Sequence, residues 1–264
     1  MTPLERRSGL SLEEFRRDYA ERGKPVILTD VTEGWKALKW TPEQLARIAP
    51  EARVQTVPTS ATSERQNVEM TLADYADYLS SPDERKLYMI NWVFEEDYPQ
   101  LLADFQIPIY FREDWLREIE DPPRLMWIFM GPGDSGLFMH VDVAHTSAWN
   151  AQLTGNKAWK LWPPHQEPYL YAGKVNAFTP NLDQFPKFSE ARCLEGEVKA
   201  GECIYVPPRW WHQTKNIDPG IALTANYCDR ANIHEVLAYL KEHRGYERIY
   251  RQLKRLVRRK QRGK

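Results

Sequence analysis

The chain predicts a mainly β protein with helical additions, its centre an antiparallel barrel or double-sheet jelly roll. From Leu125 to Cys228, closely spaced strand-like segments follow one another: LMWIFM, FMHVDV, TSAWNAQL, KAWKLWPP, CIYVPP, WWHQTKN and GIALTANYC. Many short strands broken by turns, with few helices between them, is the pattern such barrels leave in a sequence. A Gly155-Asn156 pair marks the turn between TSAWNAQL and KAWKLW, and a Pro/Gly-broken loop precedes CIYVPP. The 264 residues, 42% hydrophobic and with ten tryptophans, are enough for one large domain with a substantial core.

Ahead of the barrel, residues 1–124 alternate helices and strands. SLEEFRRDYAERGKP opens on a serine cap, and Leu12, Phe15 and Tyr19 keep helical spacing until Gly23 and Pro25 stop it. PVILTDV reads as a buried strand. WTPEQLARIAP reads as a helix capped by Thr41 with Pro42 in its first position, where a missing N–H is harmless. ARVQTVP is a strand, TLADYADYL a helix and KLYMINW a strand. We place the core barrel at 125–232, within a domain of 1–232, and a helical basic tail at 233–264. In that tail Tyr246, Ile249, Tyr250, Leu253, Leu256 and Val257 form one apolar stripe.

Composition excludes several classes. Charged residues at 28% beside 42% hydrophobic describe a globular chain, not a disordered one. Cys193, Cys203 and Cys228 are widely spaced with no C-x-x-C pair, so neither a zinc ribbon nor a disulfide framework is indicated. The start, MTPLERRSGLSLEEF, has no apolar leader pattern and no run is long enough to span a bilayer, so a soluble intracellular protein with no membrane partner is expected. The net charge of −1 conceals an asymmetry: residues 244–264 hold ten Lys/Arg against Glu247, leaving 1–243 at −10. Two expectations attach to this tail, contact with nucleic acid or an acidic partner through its charge, and a homodimer through its apolar stripe.

The chemistry concentrates in FMHVDVAHTSAWN. On a strand, i and i+2 project from one face about 7 Å apart, so His140 and Asp142 can grip one small object. His212, in VPPRWWHQTKN, lies on a later strand-like segment able to cross the same barrel. Two histidines and a carboxylate suit an open non-haem Fe(II) centre and equally a zinc enzyme, so the ligand types leave the metal undecided. The competing reading is a hydrogen-bonded His–Asp pair beside a core histidine. Lys157 shares one face of KAWKLW with Trp159 and Leu161, and an ammonium turned inward there requires an anion. Thr224 and Asn226 share a face of GIALTANYC, and Asn150 precedes Lys157 on the neighbouring strand. A small dicarboxylate would satisfy them together, one end on the metal and the other on Lys157 and Thr224.

MGPGDSGLFMHVDVAHTSAWNAQLTGNKAWKLWPP and GECIYVPPRWWHQTKNIDPGIALTANY resemble the jumonji-C family of Fe(II)- and 2-oxoglutarate-dependent oxygenases, in particular its lysyl hydroxylase and arginine demethylase type. Weaker likeness runs through SLEEFRRDYAERGKPVILTDVTEGWKALKW and RKLYMINW, so the resemblance covers nearly the whole chain. It implies a double-stranded β-helix of the cupin kind. It makes His140, Asp142 and His212 the iron ligands, Lys157 the partner of the distal 2-oxoglutarate carboxylate, and Thr224, Asn150 and Tyr88 further cosubstrate contacts, with Asn226 close by. There are two departures. His145 in VAHTS stands where the family type has a small glycine-containing turn, as a loop residue or a substrate gate, and the acidic, serine-rich tail of that type is missing.

The implied activity is hydroxylation of a polypeptide side chain, lysine first, with O2 and 2-oxoglutarate as cosubstrates. Demethylation of a methylated side chain is the same oxidation followed by loss of formaldehyde. The rival from another class is a non-catalytic cupin-like binding protein that uses its basic C-terminal helix.

Overall fold

A computed structural model describes residues 2–63 and 66–262. Thirteen strands form two sheets. The larger contains β2 (Arg6–Arg7), β3 (Val26–Leu28), β11 (Cys203–Val206), β8 (Ser147–Thr154), β13 (Gly220–Tyr227), β7 (Met126–Gly131), β6 (Tyr88–Trp92), β4 (Arg53–Val57) and β5 (Val68–Thr71), in that order. The smaller runs β1 (Thr2–Pro3), β10 (Leu194–Val198), β9 (Lys157–Trp162), β12 (Trp211–Asn216). The barrel strands pair antiparallel, as expected of a jelly roll.

Strand periodicity of two sorts each side chain to one of two interiors. From β8 and β13 the residues Trp149, Ala151, Leu153, Leu223, Ala225 and Tyr227 face the N-terminal elements. There they meet an aromatic core in which the Phe111 ring stacks on Trp149 at 5.9 Å, and on Tyr205 at 6.2 Å. The alternate positions, Ala148, Asn150, Thr224 and Asn226, face the space between the sheets, where Trp159, Leu161 and Val198 of the smaller sheet close against Ile204 and Val206. A sheet buried on both faces reads as continuous apolar runs, which is how these strands looked.

The N-terminal elements follow their caps. Ser11 and Glu14 form a reciprocal capping box at α1 (Leu12–Phe15), which continues as one wide π turn through Arg16–Ala20. Thr41 and Gln44 do the same for α2 (Pro42–Ile48), and Thr71 caps α3 (Leu72–Ser80).

One expectation needs correction. FMHVDV is not a strand: only His140 pairs, in a single bridge to His212. Asp142 then heads a tight turn at Val143–His145 in which Ala144 (φ 52°) and His145 (φ 54°) are left-handed, so the chain bends away before a ladder forms. The C-terminal region is helical as expected, in two helices, α4 (Ile233–Glu242) and α5 (Glu247–Arg262), divided where Gly245 adopts φ 93°. Strands β1, β2, β5 and β10 were not anticipated; two are only two residues long and carry no alternation to read.

The α5 stripe is used within the chain. Leu253 and Leu256 are buried with Trp115, Leu116, Ile119, Val236 and Leu240. Tyr246, Ile249, Tyr250 and Val257 pack around them, so the stripe that motivated a dimer is covered by the chain's own core. Leu253→Ala should therefore destabilise the monomer by about 2–5 kcal/mol, read from urea unfolding; an unchanged midpoint would mean that α5 is not docked in solution.

Beneath α4 and α5, the Asp114 carboxylate accepts the backbone N–H groups of Cys228 and Leu116, both at 3.0 Å. Burial pushes its pKa up to about 6. The folded protein thus binds this proton more tightly than the unfolded chain, and this group's contribution to stability falls as pH rises from about 4 to 6. Asp114→Asn should flatten that stretch of the stability–pH curve.

Candidate metal centre and its cavity

His140 and His212 face each other across one antiparallel step, each backbone N–H donating to the other's carbonyl, at 3.0 and 2.9 Å. Their rings lie 4.2 Å apart. Each ring is turned the same way. His140 Nδ1 sits 2.8 Å from the Phe138 carbonyl and His212 Nδ1 3.1 Å from the Trp210 carbonyl, so each Nδ1 carries the proton and each Nε2 is left with its lone pair. Burial, and then the neighbouring His212, press the His140 pKa down to about 3, which keeps that imidazole neutral. Trp159 lies nearly parallel to the His212 ring at 5.7 Å and fixes its plane.

Asp142 completes the set. One ligand atom from each of His140, Asp142 and His212 lies within 4.8 Å of the others. Asp142 Oδ2 is buried with no hydrogen-bond partner. A carboxylate oxygen out of water and unpaired is costly, and a cation bound between it and two imidazole lone pairs removes that cost. The residues present fit a divalent metal.

These three border a cavity of about 940 Å³ that also contains Tyr88, Asn150, Lys157, Thr224 and Asn226. All eight residues singled out from the sequence are therefore brought together. Lys157 comes from β9, in register with Asn216 of β12, four residues from the Leu161–His212 pair. It is 2% exposed, and its ammonium donates to the Tyr88 hydroxyl at 3.0 Å. Among the described residues no carboxylate pairs with it, and burial pulls its pKa down to about 7. Burial also raises the Tyr88 pKa, so its hydroxyl stays protonated. Asn150 Oδ1 and Trp159 Nε1 are buried without partners in the same interior.

Two details differ from the expected roles. The Thr224 hydroxyl donates to the Trp149 carbonyl at 2.6 Å, so donation to a ligand requires it to turn. Asn226 Nδ2 donates to Thr146 Oγ1 at 2.8 Å and so braces the start of β8. His145 is not among the cavity-lining residues; its ring meets Tyr239 of α4 edge-on at 4.8 Å.

Sequence reasoning missed the cavity's outer wall, formed by Asn91, Trp127, Phe129, Phe138 and Trp211. Asn91 interrupts β6 with φ 57°, at an irregularity between Met89 and Trp92. Asparagine tolerates that conformation better than other non-glycine residues, and this was the one available signal in MINW.

Gly173 was missed as well. It is left-handed (φ 79°), and a Cβ there would lie 2.5 Å from the Met139 carbonyl oxygen and 2.9 Å from the Trp211 ring. Met139 and Trp211 each precede a histidine of the centre, so the loop tip at Gly173 backs the bridge from behind.

Fold and site together define a class: a double-sheet β barrel with two histidines and one carboxylate beside a buried lysine. The cupin-like domain model matches residues 12–232, and the chain belongs to the cupin-like domain family. It is 34% identical over 248 residues to the arginine-specific demethylase JMJ22 of Arabidopsis thaliana, covering 89% of this chain and 48% of that protein. It is 33% identical over 253 residues to the bifunctional arginine demethylase and lysyl-hydroxylase psr-1 of Caenorhabditis elegans, covering 87% and 62%. With the human 2-oxoglutarate and iron-dependent oxygenase JMJD4 it shares 30% over 199 residues, 66% of this chain and 46% of that one. The chain thus spans less than two thirds of the length of each. The jumonji-C resemblance seen in the sequence is borne out by relatives of that kind. No helix among the described residues is long and apolar enough to cross a membrane.

Gly173→Ala should weaken divalent-metal binding by about tenfold to a hundredfold, followed by Co(II) absorption titration with far-UV circular dichroism as the fold check. Unchanged affinity in a folded variant would show that the bridge needs no backing.

Proposed function

We propose that this chain is an Fe(II)- and 2-oxoglutarate-dependent oxygenase that hydroxylates a polypeptide side chain, lysine first. The observation that carries the reading is one cavity holding both an unpaired buried carboxylate oxygen between two imidazole lone pairs and a buried ammonium with no counter-charge. Iron chelated by 2-oxoglutarate would supply oxygen activation, with the cosubstrate oxidised to succinate and carbon dioxide. His140, Asp142 and His212 would hold the metal at the edge of the cavity. Lys157 and the Tyr88 hydroxyl receive the distal carboxylate, with Thr224 and Asn150 alongside; neutralising the ammonium there offsets the cost of its burial. The apolar walls exclude water, and no side-chain general base is needed to remove a proton from a C–H bond that is oxidised.

Lysine as the target is supported by the lysyl-hydroxylase relative psr-1, and demethylation, the second reading, by the arginine demethylase relatives. Incubating the protein with candidate polypeptides and weighing the products separates them. One added oxygen atom marks hydroxylation, and loss of a methyl group with release of formaldehyde marks demethylation.

Asp142→Ala should abolish 2-oxoglutarate-dependent succinate release after anaerobic loading with Fe(II) and admission of oxygen. Equal succinate from wild type and variant would remove the catalytic reading. Lys157→Ala should keep the metal but weaken cosubstrate binding at least tenfold by titration calorimetry. Since the free ammonium titrates at about 7 and a bound carboxylate holds it protonated, cosubstrate affinity is full below that pH. Above it, affinity should fall about tenfold per pH unit. A flat profile between roughly pH 6.5 and 8.5 would exclude Lys157 as the anchor.

A further inference from the structure

The polar face of α5 serves neither the cavity nor the core. Arg251, Arg255, Arg258 and Arg262 recur at helical spacing on one side, with Lys254 beside them, and all five are exposed. Along the axis they span roughly 16 Å at 1.5 Å per residue, close to five base-pair rises of a duplex. Acidic groups beneath the helix reach other residues: Asp121 and Glu120 pair with Arg248, and Glu118 with Lys260. Among the described residues none of the five has a carboxylate within ion-pair distance. Complementing the helix dipole explains cations in the last turn but not Arg251, Lys254 or Arg255.

Packing of the stripe on the opposite side against the chain's own core leaves the helix little apolar surface for a membrane or a hydrophobic protein partner. What remains is a row of charge, four of its five members the planar guanidinium that pairs two-pronged with phosphate oxygens. Residues 1–243 carry −10 against +9 for 244–264, so a polyanion is repelled from the rest of the molecule and directed to this face. We propose that the Arg251–Arg262 face of α5 binds the phosphate backbone of a nucleic acid without reading its sequence. It does so independently of the oxygenase chemistry.

The test is fluorescence anisotropy of the full chain with a labelled duplex DNA of about two helical turns and, in a second arm, a single-stranded RNA. For five phosphate contacts on a duplex, affinity should fall about 500-fold between roughly 50 and 200 mM salt. In the variant Arg255→Glu with Arg258→Glu the salt response should shrink to about 40-fold, three contacts' worth, while binding weakens throughout. The arm with the tighter binding identifies the nucleic acid. Succinate release and the unfolding midpoint should be unchanged, which separates this surface from the catalytic reading and from misfolding. The proposal is overturned by no binding at low salt, by a variant that binds like wild type, or by polyglutamate or anionic lipid vesicles competing as well as nucleic acid.

Discussion

Much of the structure depends on one backbone interaction, the two hydrogen bonds exchanged by His140 and His212. Residues 132–142 are not a strand; Asp134, Ser135 and Leu137 bond to β12 at intervals, and the bridge is the reciprocal pair of bonds that seats His140 itself against the smaller sheet. The bridge brings the rings to 4.2 Å, and the two preceding carbonyls then orient them identically. Fixed orientation matters more to a metal site than fixed position, because only Nε2 lone pairs that converge can share one ion. The bend after Asp142, with two successive left-handed residues, turns the carboxylate in and delivers the chain to β8. Left-handed alanine and histidine each cost about 1–3 kcal/mol, strain that packing around the site must hold in place.

The same economy governs the cosubstrate end. A lysine can be left buried and unpaired only if its pKa falls or an anion arrives, and the pull toward about 7 shows how far burial has moved it. The Tyr88 hydroxyl accepts one ammonium hydrogen and leaves the others unassigned. Asn150 Oδ1 and Trp159 Nε1, also unpaired, make this interior under-satisfied around its entire floor. An apolar core would not tolerate that arrangement. On the proposed function a bound dianion would offset that cost, with the ammonium at one end and a metal at the other.

Legibility in the sequence followed the physics of each element. Strands β8 and β13 were readable because two buried faces give largely apolar runs, against which Asn150, Thr224 and Asn226 were conspicuous, and β9 and β12 because strand-like segments with aromatic residues lie between turns, Lys157 standing out on the apolar face of β9. Tyr88 could not be found from alternation, since a tyrosine is at home in any buried strand; only the family resemblance pointed to it. His140 and Asp142 were read rightly as neighbours on one face but for an inexact reason, since a bridge and a bend, not strand periodicity, place them together. Gly173 and Asn91 escaped because their contribution is backbone conformation, which a single sequence reports only as residue type. The split between α4 and α5 was visible as Gly245 yet masked by the strong apolar period on either side.

Connection between the C-terminal helices and the metal centre runs through packed aromatic groups. His145, three residues beyond Asp142, meets Tyr239 of α4; Tyr239 stacks on His243 at 3.8 Å and meets Tyr246 at 5.9 Å, where the chain enters α5. The bulky imidazole in VAHTS therefore has a structural account: it fills the contact between the ligand-bearing turn and α4 and does not stand in the cavity. A glycine in that turn would leave Tyr239 without this neighbour. The C-terminal pair is thus tied to the turn that positions Asp142 as well as to the Trp115–Ile119 segment below. Contacts of this kind hold the ligand-bearing turn in place, because a left-handed turn held by packing has few alternative conformations to relax into.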